Sequence, residues 1–208
     1  MEREVIGRWA VSGLLPTVVI ACSSQSRIDL GPVPAGVVVE AQLQYYDVSA
    51  ASLSELRRMM AQLGPRWEGR SYQAVTESRF QWAFLTDHTG PQLCEPSRVR
   101  VTVATTMTFP RWNPSAEPDS ATLEWWHQLN AGLMEHERGH AQLSVKTAGS
   151  IARTLEDMSA VPCDELRLRV SNAGQKHIEL ERREQIEYDR VTRHGATQIE
   201  RASRLRSP

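Results

Sequence analysis

The sequence contains no apolar run of the roughly 20 residues that a membrane-spanning helix needs. Its charge is nearly balanced, 24 Lys and Arg against 25 Asp and Glu, so no excess of positive charge points to nucleic acid as a partner. No internal repeat is visible. Cysteine is scarce, with three in 208 residues: Cys22, Cys94 and Cys163. What remains, with 40% hydrophobic residues and a net charge of -1, describes one globular domain of ordinary size with appendages.

What the chain does carry is His136-Glu137-Arg138-Gly139-His140, an H-E-x-x-H sequence inside a long helical pattern. Residues four apart lie on one helix face, about one turn from each other, so both imidazoles reach a single zinc ion. The glutamate between them then stands where it takes a proton from a metal-activated water, the chemistry of metal-assisted peptide hydrolysis. Trp126, Leu129, Leu133, Leu143, Ile151, Leu155 and Met158 recur at three- and four-residue steps, and His136 and His140 fall on that apolar line. Polar groups on a buried face need partners, and a metal supplies one; ordinary hydrogen bonds to two core histidines are the alternative. Gly139 costs a helix about 1 kcal/mol against alanine, and its presence suits a close backbone approach.

At the start of the chain, Arg3 and Arg8 precede the mostly apolar Trp9 to Ala21, which ends in Val19-Ile20-Ala21-Cys22. Residues 1–21 resemble a bacterial lipoprotein signal peptide; a plain secretory signal or a buried strand is the alternative. Cys22 is then the expected lipidation site. The protein is expected to be exported and anchored by lipid to the membrane on the periplasmic side of the cell envelope. Export leaves Cys94 and Cys163 as an even pair in an oxidising compartment, for which one disulfide is expected.

Residues 22–36 read as a linker, punctuated by Pro32 and Pro34. Val37, Val39, Ala41, Leu43 and Tyr45 then alternate with polar residues as a half-buried strand. Ser52-x-x-Glu55 is a capping box that opens a helix, with Leu53, Leu56, Met59, Met60 and Leu63 inward and Gly64 at its end. A second strand carries Tyr72, Ala74, Thr76, Phe80 and Trp82. After a turn at Asp87 to Pro91, a third has Val99, Val101, Val103 and Met107 on one face. These strands are expected to be short, with the second and third paired antiparallel. Pro110, Pro114 and Pro118 are expected to end this half, and Asp119 or Ser120 to cap the motif helix. That helix stops before Pro162, and a second runs from near Cys163 to about His194, with Gly195 at its C′ position. Residues 196–208 read as a polar, frayed tail.

Tyr46-Asp47-Val48 before a capped helix, Pro110-x-Trp112, H-E-x-x-H, and Tyr188-Asp189-x-x-Thr192-x-His194-Gly195 together resemble the DUF922 family. The resemblance covers residues 37–195, and the last of these motifs is the family-specific one. It implies a bacterial envelope protein of a group described as predicted secreted zinc-dependent proteases. The expected fold is α+β and zincin-like: a small antiparallel sheet with one helix, then two long packed helices carrying the zinc site, over residues 37–195.

A catalytic zinc takes three protein ligands. His194 is the expected third, because imidazole suits zinc and this residue closes the family-like motif, with Asp189 and then Glu187 behind it. Folding two helices back at the 160–163 loop sets residues near 184 opposite His140, so His194 requires an offset or bent second helix. His88, His127 and His177 are weaker candidates; His127, nine residues before His136, is turned to the other helix face. The expected activity is zinc-dependent hydrolysis of a peptide or protein substrate, with Glu137 as general base. The alternative is a non-catalytic envelope lipoprotein that acts as a binding module. In zinc peptidases that resemble this architecture an extended peptide lies along an edge strand upstream of the motif helix. That strand is expected here at residues 97–109, with Tyr188 adding a hydroxyl donor to the oxyanion.

Overall fold

The computed structural model describes residues 5–7 and 28–206, apart from position 68. Cys22, its expected lipid and most of the signal segment lie outside the described residues. The elements run β1 (Val5–Gly7), β2 (Val37–Ala50), α1 (Leu53–Leu63), β3 (Arg66–Trp67), β4 (Arg70–Ser71), β5 (Val75–His88) and β6 (Leu93–Pro114). They continue with α2 (Ser120–Glu156), β7 (Val161–Pro162), α3 (Leu166–Thr192) and α4 (Ala196–Arg206). The fold is α+β. No described helix is long and apolar enough to cross a membrane.

The main sheet has the order β1-β5-β6-β2, with β7 pairing β6, while β3 and β4 form a separate hairpin. It is mixed rather than antiparallel. The amide of Val101 donates to the carbonyl of Gly36, and that of Ser115 to the carbonyl of Ala50, so the offset is 101 − 36 = 115 − 50 = 65 at both ends and β2 runs parallel to β6. A parallel pair needs a long crossover, and α1 with β5 supplies it.

This arrangement overturns the expectation of an unpaired strand at 97–109. β6 lies inside the sheet, between β5 and β2, and the edge position falls to β2. The strands are also longer than expected, 14 residues in β5 and 22 in β6. β6 runs through Pro110 and ends at Pro114, the second of the three prolines expected to close this half. Ser78 of β5 faces Thr105 through a 3.0 Å hydroxyl contact, and β5 begins only three residues before Ser78. By Pro110 the strand has therefore run past that neighbour, and a missing N–H on that side is not asked for.

The described chain divides into two compact units. One comprises Met1–Gln42, Arg79–Ala104 and Val145–Glu179. Its core holds Val99, Val101 and Val103, alternate residues of β6, with Trp82, Phe84, Ile151, Leu155, Leu166 and Val170. Cys94 and Cys163 are joined by a disulfide there.

The other unit comprises Leu43–Ser78, Thr105–Ser144 and Leu180–Pro208. Met107 and Phe109 continue the same alternation of β6 and are buried with Val48, Leu56, Met60, Leu129 and Leu133. The family-like residues away from the histidines frame this unit. Asp47 accepts from Arg111 at 2.6 and 2.9 Å and from Asn113 at 3.0 Å. The indole of Trp112 donates to the Ala50 carbonyl at 3.1 Å and meets Trp126 edge-on. The Ser52 hydroxyl accepts from the Glu55 amide, whose carboxylate accepts in return from the Ala51 amide. Asp119 caps α2 by accepting from the Thr122 amide at 2.7 Å.

The tail expected to fray is instead a helix. α4 buries Gln198 and Ala202, lays Ile199 against Gly132 of α2, and pairs Arg201 with Glu135. Its polar composition hid it, because it is fastened mainly by polar contacts and carries few apolar residues.

Candidate metal centre

α2 brings His136 and His140 to one face, and α3 sets Asp189 against them. The Nε2 atoms of the two histidines are 3.2 Å apart. Asp189 Oδ1 lies 3.2 Å from His136 Nε2 and 3.0 Å from His140 Nε2. Three donor atoms in tetrahedral positions at about 2.0–2.1 Å from a zinc ion would be separated by about 3.4 Å, close to these spacings.

The surroundings decide which ring atoms carry protons. Gln185 donates its amide N–H groups to the His140 carbonyl (3.1 Å), Ser144 Oγ (3.3 Å) and Glu181 Oε1 (2.9 Å). Its oxygen is thereby turned to His140, where Nδ1–H donates to it at 2.5 Å. Thr192 gives its hydroxyl proton to the Tyr188 carbonyl at 2.7 Å and so faces His136 Nδ1, 3.4 Å away, as an acceptor. With each Nδ1 a donor, each neutral imidazole presents the lone pair of Nε2 inward. Two ring nitrogens and a carboxylate oxygen then converge, a donor set that could hold a metal ion. Burial works against a charged His140, but the Asp189 and Gln185 hydrogen bonds and the Glu137 charge outweigh it and hold the imidazolium above its ordinary value. Burial likewise works to raise Asp189, yet hydrogen bonds from His136 and His140 prevail and keep its carboxyl well below the usual range.

Gly139 makes the pocket possible. A Cβ there would collide with the Tyr188 hydroxyl, so only glycine lets the tyrosine lie flat on α2. The Tyr188 ring stacks on His136 at 5.2 Å and meets His140 edge-on at 4.9 Å. Gly195 also lies against the His136 ring, where an added Cβ would press on it, and its φ of 87° follows two further left-handed residues, Arg193 and His194. A non-glycine residue pays for that conformation, roughly 1–2 kcal/mol; here the reversal delivers Gly195 to the imidazole.

Glu137 is buried, and its Oε2 accepts from Thr76 Oγ1 of β5 at 2.7 Å. Burial raises its pKa, partly offset by the Thr76 hydrogen bond and the two histidines.

Of the expected site residues, the structure brings together His136, His140 and Asp189, with Tyr188 packed on them. His194, expected as the third ligand, lies outside this donor cluster. It is exposed, and its Nδ1 is 3.6 Å from Asp189 Oδ1. The physical reason is the left-handed reversal at 193–195, which carries its side chain away as it brings Gly195 in. Tyr188, expected as an oxyanion donor, gives its hydroxyl proton to the His136 carbonyl (3.3 Å) and accepts from Gln198 (3.2 Å). Glu187 pairs with Arg190, His177 with Thr154, and His127 is exposed. His88 stands beside the disulfide.

Thr76, Ser144, Glu181, Gln185 and Gln198 were not singled out from the sequence. Only Gln185 carried a signal, because hairpin counting places its neighbourhood opposite His140.

A family model described as a bacterial protein of unknown function (DUF922) matches residues 43–195. No curated protein and no solved structure matches the chain.

Proposed function

The chain belongs to the DUF922 family, and from that premise and the converging donors we propose that it is a zinc-dependent metallopeptidase of the bacterial cell envelope. His136, His140 and Asp189 would hold the ion. When bound, the ion supplies Lewis acidity to a water and to the scissile carbonyl. Thr76 fixes Oε2 of Glu137, so Oε1 would take the proton of the attacking water and pass it to the leaving amine. Burial assists, because a carboxylate with a raised pKa is a better base near neutral pH. Tyr188 orients His136 by stacking, and Gln185 and Thr192 keep both imidazoles in the ligating tautomer. The observation that carries the reading is the convergence of three ligand atoms, His136 Nε2, His140 Nε2 and Asp189 Oδ1, each within 3.2 Å of the other two.

A second reading, a metal-stabilised binding module without catalysis, is favoured by the Thr76 bond that ties the Glu137 carboxylate to β5. One experiment separates them. Glu137→Gln is expected to keep one zinc per chain, measured by elemental analysis, and to lower cleavage of an unstructured protein substrate by about 10²–10⁴-fold. Chelator should abolish cleavage by the parent protein. A parent chain with zinc but no cleavage supports the binding module, and a chain that does not retain zinc refutes both readings.

A further inference from the structure

We propose that His88, Cys94 and Cys163 form a second metal site, gated by thiol redox state. Closed, it is a disulfide cross-link; opened, it binds one zinc-like divalent cation through two thiolates and an imidazole. The proposal is independent of any peptidase activity.

The three residues come from three places: the end of β5, the start of β6 and the turn after β7. Their ligand atoms all lie within 4.8 Å of one another. His88 Nδ1 is 3.3 Å from Cys94 Sγ and 3.8 Å from Cys163 Sγ. A tetrahedral ion with Zn–S of about 2.3 Å and Zn–N of about 2.0–2.1 Å sets its nitrogen and sulfur ligands about 3.6 Å apart, a value these two distances bracket. Thiolate pairs joined by imidazole suit zinc over harder cations.

Backbone hydrogen bonds, rather than the disulfide alone, hold the three together. β7 pairs antiparallel with β6, Cys94 opposite Val161 and Leu93 opposite Pro162. The Cys163 amide donates to the Gln92 carbonyl at 3.0 Å, and the Thr89 amide to the Leu93 carbonyl at 3.0 Å. Breaking the sulfur–sulfur bond therefore leaves both thiols next to His88, from where the two sulfurs need only move apart to the roughly 3.8 Å of two thiolates on one tetrahedral ion. Access is graded. Cys94 is fully buried, Cys163 half-buried and His88 exposed, so Cys163 is the cysteine nearer solvent and the one a reductant would meet first.

The opening step balances with a small-molecule thiol as reductant. Its thiolate attacks Cys163 Sγ, the disulfide bond breaks, and Cys94 leaves as a thiolate. A second thiol then resolves the mixed disulfide, releasing the oxidised small-molecule disulfide and two protein thiols. Metal binding displaces the two thiol protons to solvent.

The test uses the full chain, reduced with a dithiol, desalted without oxygen and titrated with cobalt(II). Two imidazoles and a carboxylate do not produce thiolate-to-cobalt charge transfer, and the Cys22→Ser variant excludes the third thiol of the sequence as its source. The reduced protein is expected to develop the band, saturating within two equivalents because the histidine pair takes one, and to lose it on adding zinc, while the oxidised protein develops none. Cys163→Ala should abolish the band, Cys22→Ser should leave it, and His88→Ala should weaken cobalt binding at least tenfold. A reduced protein with native circular dichroism and no band overturns the proposal, as does unfolding on reduction or unchanged affinity in His88→Ala.

Discussion

His136, His140 and Asp189 are brought together by packing and hydrogen bonds, whereas Cys94 and Cys163 are held by a covalent bond and a strand ladder, with His88 beside them. In the first group each imidazole Nδ1 has a side-chain partner, and both the Tyr188 ring and the Gly195 backbone lie against His136. In the second, the histidine is exposed and the sulfurs satisfy each other. The difference teaches that a donor cluster meant to stay open needs an outer ring of residues, most of them far from the donors in sequence. A cluster that closes on itself needs only register.

The largest expected effect breaks the covalent group. A segment with a sequence separation of 69 is closed by the disulfide, and chain entropy assigns such a closure about 4 kcal/mol. Cys94→Ala with Cys163→Ala should lose about that much stability in urea titration while zinc binding at the histidine pair is unchanged. Next, Asp189→Ala should weaken zinc by more than hundredfold in chelator competition, beyond the range of outer-ring losses. His194→Ala should stay within about twofold, which separates the two candidates for third ligand.

Gln185→Ala sharpens the contrast, since losing the tautomer lock should cost about 10–100-fold in zinc affinity with the fold intact. Gly139→Ala sets an overpacking cost of about 1–3 kcal/mol against a helix gain of about 1 kcal/mol. A net loss near 1 kcal/mol is expected by thermal unfolding, with the Tyr188 ring displaced.

The smallest effect is a pH dependence in chelator-treated protein, compared with Asp189→Asn. Asp189 has a depressed folded pKa, so its contribution is present above the ordinary value of 3.8 and is lost as pH falls through the folded value. His140 has a raised one, so its contribution is present below the ordinary 6.5 and is lost as pH rises through the folded value. The two stability curves should therefore lie furthest apart between these limits and converge on both sides.

The legible parts of the sequence were those governed by local period. The apolar line through Leu129 and Leu133 delivered α2, and the i, i+4 histidines delivered two of the donors. Alternation at Val99, Val101, Val103 and Met107 gave the buried face of β6 its residues. Hairpin counting placed residue 184 opposite His140, within one position of Gln185, and the structure follows that simple register. Ligand chemistry alone favours His194, and the left-handed turn at 193–195, which no period announces, is what leaves that side chain exposed. The parallel pairing of β2 with β6 was hidden because a side-chain alternation reads the same in either strand direction. Thr76 was hidden because a hydroxyl on an alternating strand looks like any half-buried threonine.

The wide sequence separation inside the donor group has a consequence for biosynthesis. His140 and Asp189 are 49 residues apart, and His136 and Thr192 are 56 apart. A chain emerging N-terminus first, from the ribosome or from an export channel, therefore shows its histidine pair long before the residues that complete and orient it. Any ion met at that stage finds two swivelling imidazoles. Only after position 195 has cleared the exit and the hairpin has closed does the full set exist. An ion captured then ties the end of the chain to its middle, so metal loading would serve as the last checkpoint of folding, stabilising only chains that are complete to that corner.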